Sequence, residues 1–131
     1  MIKLKRAYEA AAAGDGGRFL VERLWPRGVT RQAARLDGWL KELAPSPALR
    51  RWYGHAPERW PEFQRRYREE LRTPDKQALL RQVAEKARKG TVTFVFAASD
   101  TERNSALLLK GIVERLMKGA GAGKAPARGK A

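Results

Sequence analysis

The stretch from residue 91 to residue 98 constrains the fold of this chain more than any other. Val92, Phe94, Val95 and Phe96 leave it no polar face, which is typical of a central strand covered on both sides. Helical patterns precede and follow it, and strands joined through helices run parallel in one sheet. The chain is therefore predicted to be an α/β domain with a small three-layer sheet, at least partly parallel, and helices on its faces.

Two shorter strands are predicted earlier in the chain. Residues 2–8 alternate apolar and basic side chains, as in a strand with one solvated face. Residues 18–25 form the second strand, which Pro26 and Gly28 end. The loop at residues 10–17 joins them. Because this connection has only about ten residues, it is marginal for a parallel crossover, and the direction of the first strand stays open.

Helices are predicted from apolar side chains at helical spacing and from capping residues. The pattern indicates residues 30–44 (through Leu36, Trp39, Leu40 and Leu43), residues 47–53 (Ser46 cap, Gly54 end), residues 60–71, residues 74–89, and a last helix from a capping box at Ser99–Glu102 to about residue 118.

The length of 131 residues fits one domain, predicted to span residues 1–118, followed by a disordered basic tail at residues 119–131. The chain has no cysteine, which excludes disulfides and thiolate chemistry, and its single histidine excludes a multi-histidine metal site within one chain. It has no apolar run near the roughly 20 residues that a membrane span needs and no signal-peptide pattern. The cytoplasm is the expected compartment, with no membrane, metal or cofactor partner.

The formal net charge is +14, from 28 lysines and arginines against 14 acidic residues. An excess of this size favours attraction to anions, including nucleic acid and nucleotides. The alternative is that the arginines are a solvated surface with no specific ligand, since net charge informs on non-specific binding and not on fold.

The motif RLWPRG at residues 23–28 resembles the YeaO-like family of uncharacterised bacterial proteins. The motifs WLK at residues 39–41, LAPS at 43–46, WYGH at 52–55 and ASD at 98–100 carry the same resemblance, which covers roughly residues 1–117. The family consists of small single α/β domains, so the resemblance implies a fold and a site location but no reaction.

Ligands of parallel α/β sheets bind beyond the carboxyl ends of the strands. Residues 25–28 and 98–100 are expected to meet at that edge. Arg23 and Arg27 would offer guanidinium donors to a phosphate or carboxylate, and Trp25 a flat ring for a base or sugar. The alternative for Trp25 is core packing, and the alternative for Arg23 is an ion pair with Asp15 or Glu22.

Three further groups are predicted to complete this pocket. Gly28 would let the backbone approach a ligand closely. Ser99 and the amides of residues 101–103 would form the anion-binding N-terminus of the last helix. Lys41 and Arg50 would either flank the pocket or face water.

Two side chains are candidates for acid–base chemistry. Asp100 follows the central strand, where a carboxylate is a plausible base or hydroxyl acceptor, although it can equally be a helix cap. His55 is either an acid or base or a group that satisfies the carbonyls at the end of the preceding helix.

The preferred function is a cytoplasmic domain that binds a phosphate-bearing ligand, either nucleotide-like or a nucleic-acid end. One alternative is an enzyme that uses the same pocket on a nucleotide-like or phosphorylated small molecule, with Asp100 or His55 as the acid or base. Another is a non-specific nucleic-acid accessory protein that acts through its net charge and tail. The sequence contains no phosphate-binding P-loop and no dinucleotide glycine fingerprint.

Overall fold

The computed structural model describes residues 1–123 and contains one fully parallel sheet. Its four strands are β1 (Ile2–Arg6), β2 (Gly17–Leu20), β3 (Gly38–Trp39) and β4 (Val92–Phe96), in the order β1-β4-β2-β3. The α/β class is confirmed. The first strand runs parallel to its neighbour, so the short connection between β1 and β2 does cross over β4.

The centre of the sheet is β4, all five of whose residues are buried. It pairs on one side with β1 and on the other with β2, with Phe94 opposite Leu4 and Phe19. Such burial explains why this strand has no polar face.

Within residues 1–123, five α-helices accompany the sheet: α1 (Arg31–Ala34), α2 (Pro47–Tyr53), α3 (Trp60–Glu70), α4 (Pro74–Lys89) and α5 (Ser105–Gly123). The predictions for α2, α3 and α4 are confirmed. The hydroxyl of Ser46 accepts a hydrogen bond from the Leu49 amide at 3.1 Å, and Gly54 is left-handed with φ 52°, so both ends of α2 follow their local sequence signals. No helix in residues 1–123 is long and apolar enough to cross a membrane.

The two faces of the sheet are covered differently. The main core lies between one face and helices α2 to α5, and Phe94, Tyr67 and Leu109 are among its fully buried members. On the other face, Leu20 and Val95 are covered by half-buried side chains of the loops and of the segment around α1 (Trp25, Val29, Leu36 and Trp39).

The prediction that residues 30–44 include a helix holds only for a short segment, and the apolar stripe that supported it is wrong, because Leu36, Trp39, Leu40 and Leu43 do not share one helix. In this region only Arg31–Ala34 is α-helical, and Gly38–Trp39 is an edge strand. The backbone bonds to β2 instead, with Leu40 N donating to Leu20 O at 2.7 Å. Pairing with β2 outweighs the helical spacing of the apolar residues, which divide between the two sides of the sheet. The second strand ends earlier than predicted, at Leu20.

The last helix begins at Ser105 and not at the predicted capping box. Asp100 Oδ1 accepts hydrogen bonds from the amides of Glu102 (2.9 Å) and Arg103 (3.0 Å), so these amides close a local turn. The cap is Asn104, whose Oδ1 accepts from the Leu107 amide at 2.8 Å. The helix is described to Gly123, and residues 124–131 of the predicted tail lie outside the described residues.

Replacing Asn104 with alanine should lower the free energy of unfolding by about 1 kcal/mol, because an amide in the first turn of α5 loses its acceptor. Urea unfolding of Asn104→Ala and of Ser99→Ala measures this difference. Ser99→Ala should change stability by less than about 0.5 kcal/mol, as an exposed residue outside the helix. A larger loss for Ser99→Ala than for Asn104→Ala would contradict the observed helix start.

Candidate functional site

A cleft of about 680 Å³ lies where β1, β2 and β4 reach their carboxyl ends. We call it the arginine cleft, because four arginines line it, namely Arg6, Arg50, Arg51 and Arg103. It lies at the edge of a parallel sheet where ligands usually bind, and its volume is in the range of small-molecule sites.

Two side chains of opposite charge form hydrogen bonds with the backbone of the segment that follows β4. Arg6, the last residue of β1, donates from its guanidinium to the carbonyls of Ala97 (3.3 Å) and Ala98 (3.0 Å). Glu22, two residues beyond β2, accepts the Ala97 amide on Oε2 at 2.9 Å. These bonds fix one wall of the arginine cleft to the ends of all three strands.

The opposite wall comes from the last turn of α2, which carries Arg50 and Arg51. Both are exposed, and neither has a carboxylate within 4.0 Å among the described residues. Arg103, in the loop before α5, pairs with Asp100 at 3.2 Å. Glu22 is the single carboxylate among the lining residues, so positive charge is in excess within the cleft.

Aromatic and aliphatic side chains line the rest of the arginine cleft. Tyr8 is 52% exposed and Leu24 is 68% exposed, which is unusual for large hydrophobic residues. The Arg6 guanidinium carbon lies 5.2 Å from the centre of the Tyr8 ring. Tyr53 is buried against Phe63, and burial raises the pKa of its phenol.

Of the predicted site residues, Ser99 and His55 line the arginine cleft. Asp100 comes directly after Ser99 but is not among the lining residues. Hydrogen bonds from the amides of Glu102 and Arg103 hold the pKa of the Asp100 carboxyl below its usual range. His55 is exposed with a left-handed backbone (φ 58°), and its ring centre lies 6.3 Å from that of Tyr53.

The structure does not bring Trp25 and Arg27 into this cleft. The Trp25 ring packs on the other face of the sheet, edge-on to Trp39 at 5.6 Å, and its Nε1 donates to Val29 O at 2.7 Å. Arg27 is exposed in the turn after it, where Gly28 has φ 79°. After β2 the chain crosses from one face to the other, so the predicted pocket shared by Trp25 and Arg27 is not formed.

Two other predicted ligand-binding residues also lie outside the arginine cleft. Lys41 is exposed, with its ammonium nitrogen 4.2 Å from the centre of the Trp39 ring. Arg23 is half-buried and donates from Nη2 to Ala44 O at 2.8 Å, while its buried Nε has no partner in the described residues. Arg23 therefore braces the loop before α2. The amides of residues 102 and 103, predicted to bind an anion, are taken by Asp100.

Sequence reasoning missed several residues of the cleft. Arg6 and Glu22 stand at or just beyond strand ends, and the rule for parallel sheets could have found them. Arg50 is predicted either to flank the pocket or to face water. Local sequence does not separate these two positions, because they depend on how the helix docks on the sheet. Within residues 1–123, no group of three His, Asp or Glu side chains is placed to hold a metal ion.

The fold and the cleft define a small parallel α/β domain with an arginine-lined site at the strand ends. A family described as "Inactive DUF488-N3 subclade" matches residues 1–128, and the chain belongs to this family.

Similar proteins support the predicted resemblance to YeaO. An uncharacterised protein of Mycobacterium tuberculosis and one of Mycobacterium bovis are each 40% identical over 108 residues, which cover 82% of this chain and 89% of the relative. The uncharacterised protein YeaO of Escherichia coli is 36% identical over 108 residues, covering 82% of this chain and 92% of YeaO. No solved structure matches the chain.

Proposed function

We propose that the protein is a cytoplasmic domain that binds a phosphate-bearing ligand in the arginine cleft. The observation that carries the proposal is that four arginines line one concave surface together with a single carboxylate. Three of the four, Arg6, Arg50 and Arg51, have no carboxylate partner among the described residues. Guanidinium groups bind phosphate oxygens through paired, charge-assisted hydrogen bonds, so the unneutralised charge favours an anion.

Binding is favoured over catalysis by the state of the two candidate acid–base groups. Asp100 is held as a carboxylate by two amides and Arg103, so it is a weak base at neutral pH. His55 is exposed, and no carboxylate among the described residues lies within 4.0 Å of its ring to orient it as a base. The family description, which calls the subclade inactive, points the same way.

Replacing Arg50 and Arg51 together with alanine should weaken the binding of inorganic phosphate, pyrophosphate and adenosine 5′-monophosphate by about tenfold or more. Both side chains are exposed and neither contributes to the core, so the variant should fold normally. Isothermal titration calorimetry at a fixed, low salt concentration measures the affinities, and thermal unfolding checks the fold.

The matched control is the double variant Arg27→Ala and Arg81→Ala. It removes the same charge from two exposed positions outside the arginine cleft. It should bind these anions like the parent. If both double variants lose affinity equally, binding follows net charge alone, as expected for a non-specific nucleic-acid accessory protein. If the parent binds none of the three anions, the proposal is wrong.

A further inference from the structure

We propose that the arginine cleft takes a ribonucleoside 5′-phosphate, with Glu22 accepting the ribose hydroxyls and Tyr8 stacking on the base. This inference rests on the proposed function, since the arginines would hold the phosphate. It adds two specificity-determining residues and a defined ligand class.

The first observation is that a carboxylate lines the cleft, where its negative charge opposes the binding of a simple anion. Glu22 lines a cleft with four guanidinium groups, yet none of them lies within 4.0 Å of its oxygens in the described part of the chain. A phosphate would be repelled by it. An unpaired carboxylate suits a ligand that also carries donors, and sugar hydroxyls are such donors.

The second observation is that only one oxygen of the Glu22 carboxylate accepts a hydrogen bond from the described residues. Oε2 accepts the Ala97 amide at 2.9 Å, and Oε1 has no protein donor among the described residues. The hydrogen bond between Oε2 and the end of β4 leaves Oε1 able to accept hydrogen bonds from a ligand. A carboxylate at the carboxyl edge of a parallel α/β sheet lies where such sheets bind their ligands, and its free oxygen can accept hydrogen bonds from sugar hydroxyls.

The third observation is the exposed ring at the cleft. Tyr8 lines the cleft while 52% of it remains open to solvent, and Leu24, also lining it, is 68% exposed. Nucleobases stack on flat aromatic rings beside cationic grooves. Every base has a flat face, so this stacking can strengthen the binding of any of them. The cleft volume of about 680 Å³ is far more than a phosphate needs and is suited to a small organic ligand.

The alternative role of Glu22 is purely structural, as the acceptor that holds the Ala97 amide. Glu22→Gln separates the two roles, because the glutamine oxygen can still accept this amide. The other terminal atom is then an NH₂ group, which donates hydrogen bonds and cannot accept one from a hydroxyl. Thermal unfolding of Glu22→Gln should match the parent.

The test compares adenosine 5′-monophosphate with its 2′-deoxy and 2′,3′-dideoxy analogues by isothermal titration calorimetry. The parent should bind the ribonucleotide about tenfold more tightly than the dideoxy analogue, as expected for hydrogen bonds to a charged acceptor. In Glu22→Gln this ratio should fall towards one. Its affinity for inorganic phosphate should be equal or higher, because a negative charge has been removed. A merely structural role of Glu22 would leave the ratio between the ribonucleotide and the dideoxy analogue unchanged.

Tyr8→Ala tests the base independently of the sugar. It should lower the affinity for adenosine 5′-monophosphate by about tenfold and leave ribose 5-phosphate unaffected. A 5′-phosphorylated RNA trinucleotide shows whether the ligand is a free nucleotide or an RNA end. Tighter binding of the trinucleotide than of the mononucleotide assigns the ligand to an RNA end, and equal or weaker binding assigns it to free nucleotides.

The failures of the two proposals are distinguishable. If the parent binds phosphate and pyrophosphate, but the ribose hydroxyls and the base add nothing, this inference is overturned and the anion site stands. If the parent binds no anion at all, both are wrong.

Discussion

Replacing Asp15 with asparagine is expected to lower the free energy of unfolding by about 3 kcal/mol at neutral pH. Asp15 and Arg18 are each only 4% exposed, and their side chains meet at 2.6 Å. Lys5 approaches the other carboxylate oxygen at 3.0 Å. The variant would leave the buried guanidinium without its counter-charge, which costs far more than the loss of a surface ion pair. Urea unfolding measures the loss.

The same carboxylate predicts how this loss depends on pH. Burial by itself raises the pKa of Asp15, but hydrogen bonds from the Ala12 amide, Lys5 and Arg18 outweigh it and lower the pKa from 3.8 to about 2. A pKa that is lower in the folded than in the unfolded protein stabilises the fold at pH values above 3.8. This stabilisation is lost as the pH falls through about 2, so the difference between the parent and Asp15→Asn should shrink over that interval.

Glu62→Gln is the matched control for Asp15→Asn. The Glu62 carboxylate also contacts two basic side chains, Arg65 at 2.7 Å and Arg66 at 2.8 Å. Its side chain is 38% exposed, so water replaces these partners when the charge is removed. Glu62→Gln should therefore cost much less stability than Asp15→Asn. Equal losses in the two variants would show that burial of the Asp15 cluster contributes nothing.

Replacing Gly16 with alanine is the second large effect, with an expected loss of at least about 3 kcal/mol. Gly16 has φ 63°, a conformation that side chains rarely adopt, and an added Cβ would lie 2.1 Å from the carbonyl oxygen of Thr91. That carbonyl also accepts the Gly17 amide at 3.0 Å, at the start of the β2–β4 pairing. The added Cβ would clash with a backbone atom, so the clash cannot be relieved by turning a side chain.

Gly28→Ala separates this clash from backbone strain alone. Gly28 also has a positive φ, of 79°, but an added Cβ would meet nothing within 4 Å. Its replacement should cost about 1 kcal/mol, the strain of the left-handed conformation. Thermal or urea unfolding of both variants makes the comparison. If the two lose the same stability, the close approach of Gly16 to Thr91 does not constrain the fold.

The parts of the fold that were predictable have local causes. The cap at Ser46 and the left-handed Gly54 bound α2 whatever surrounds it. The unbroken apolar character of β4 follows from its burial on both faces. The two-residue strand Gly38–Trp39 has no such signal, because it exists only through its pairing with β2.

The sequence predicted the edge of the sheet at which the candidate site lies, but not which residues lie on the same face of the sheet. The strand ends do meet, and Ser99 and His55 lie at the cleft there. The chain after β2 then crosses to the opposite side of the sheet, which packs the half-buried indole of Trp25 against Trp39 and leaves Arg27 in an exposed turn. A motif of six residues contains no information on which face its side chains will meet.

The sequence by itself determined the α/β class with an at least partly parallel sheet, the three helices α2 to α4 and the surplus of arginine, since periodicity, caps and charge are properties of neighbouring residues. Only the tertiary structure decided which arginines share a cleft. Arg6 and Arg51 lie far apart along the chain, and their meeting depends on the crossover to β2 and on the docking of α2 against the sheet. These are long-range packing energies, which no local pattern encodes.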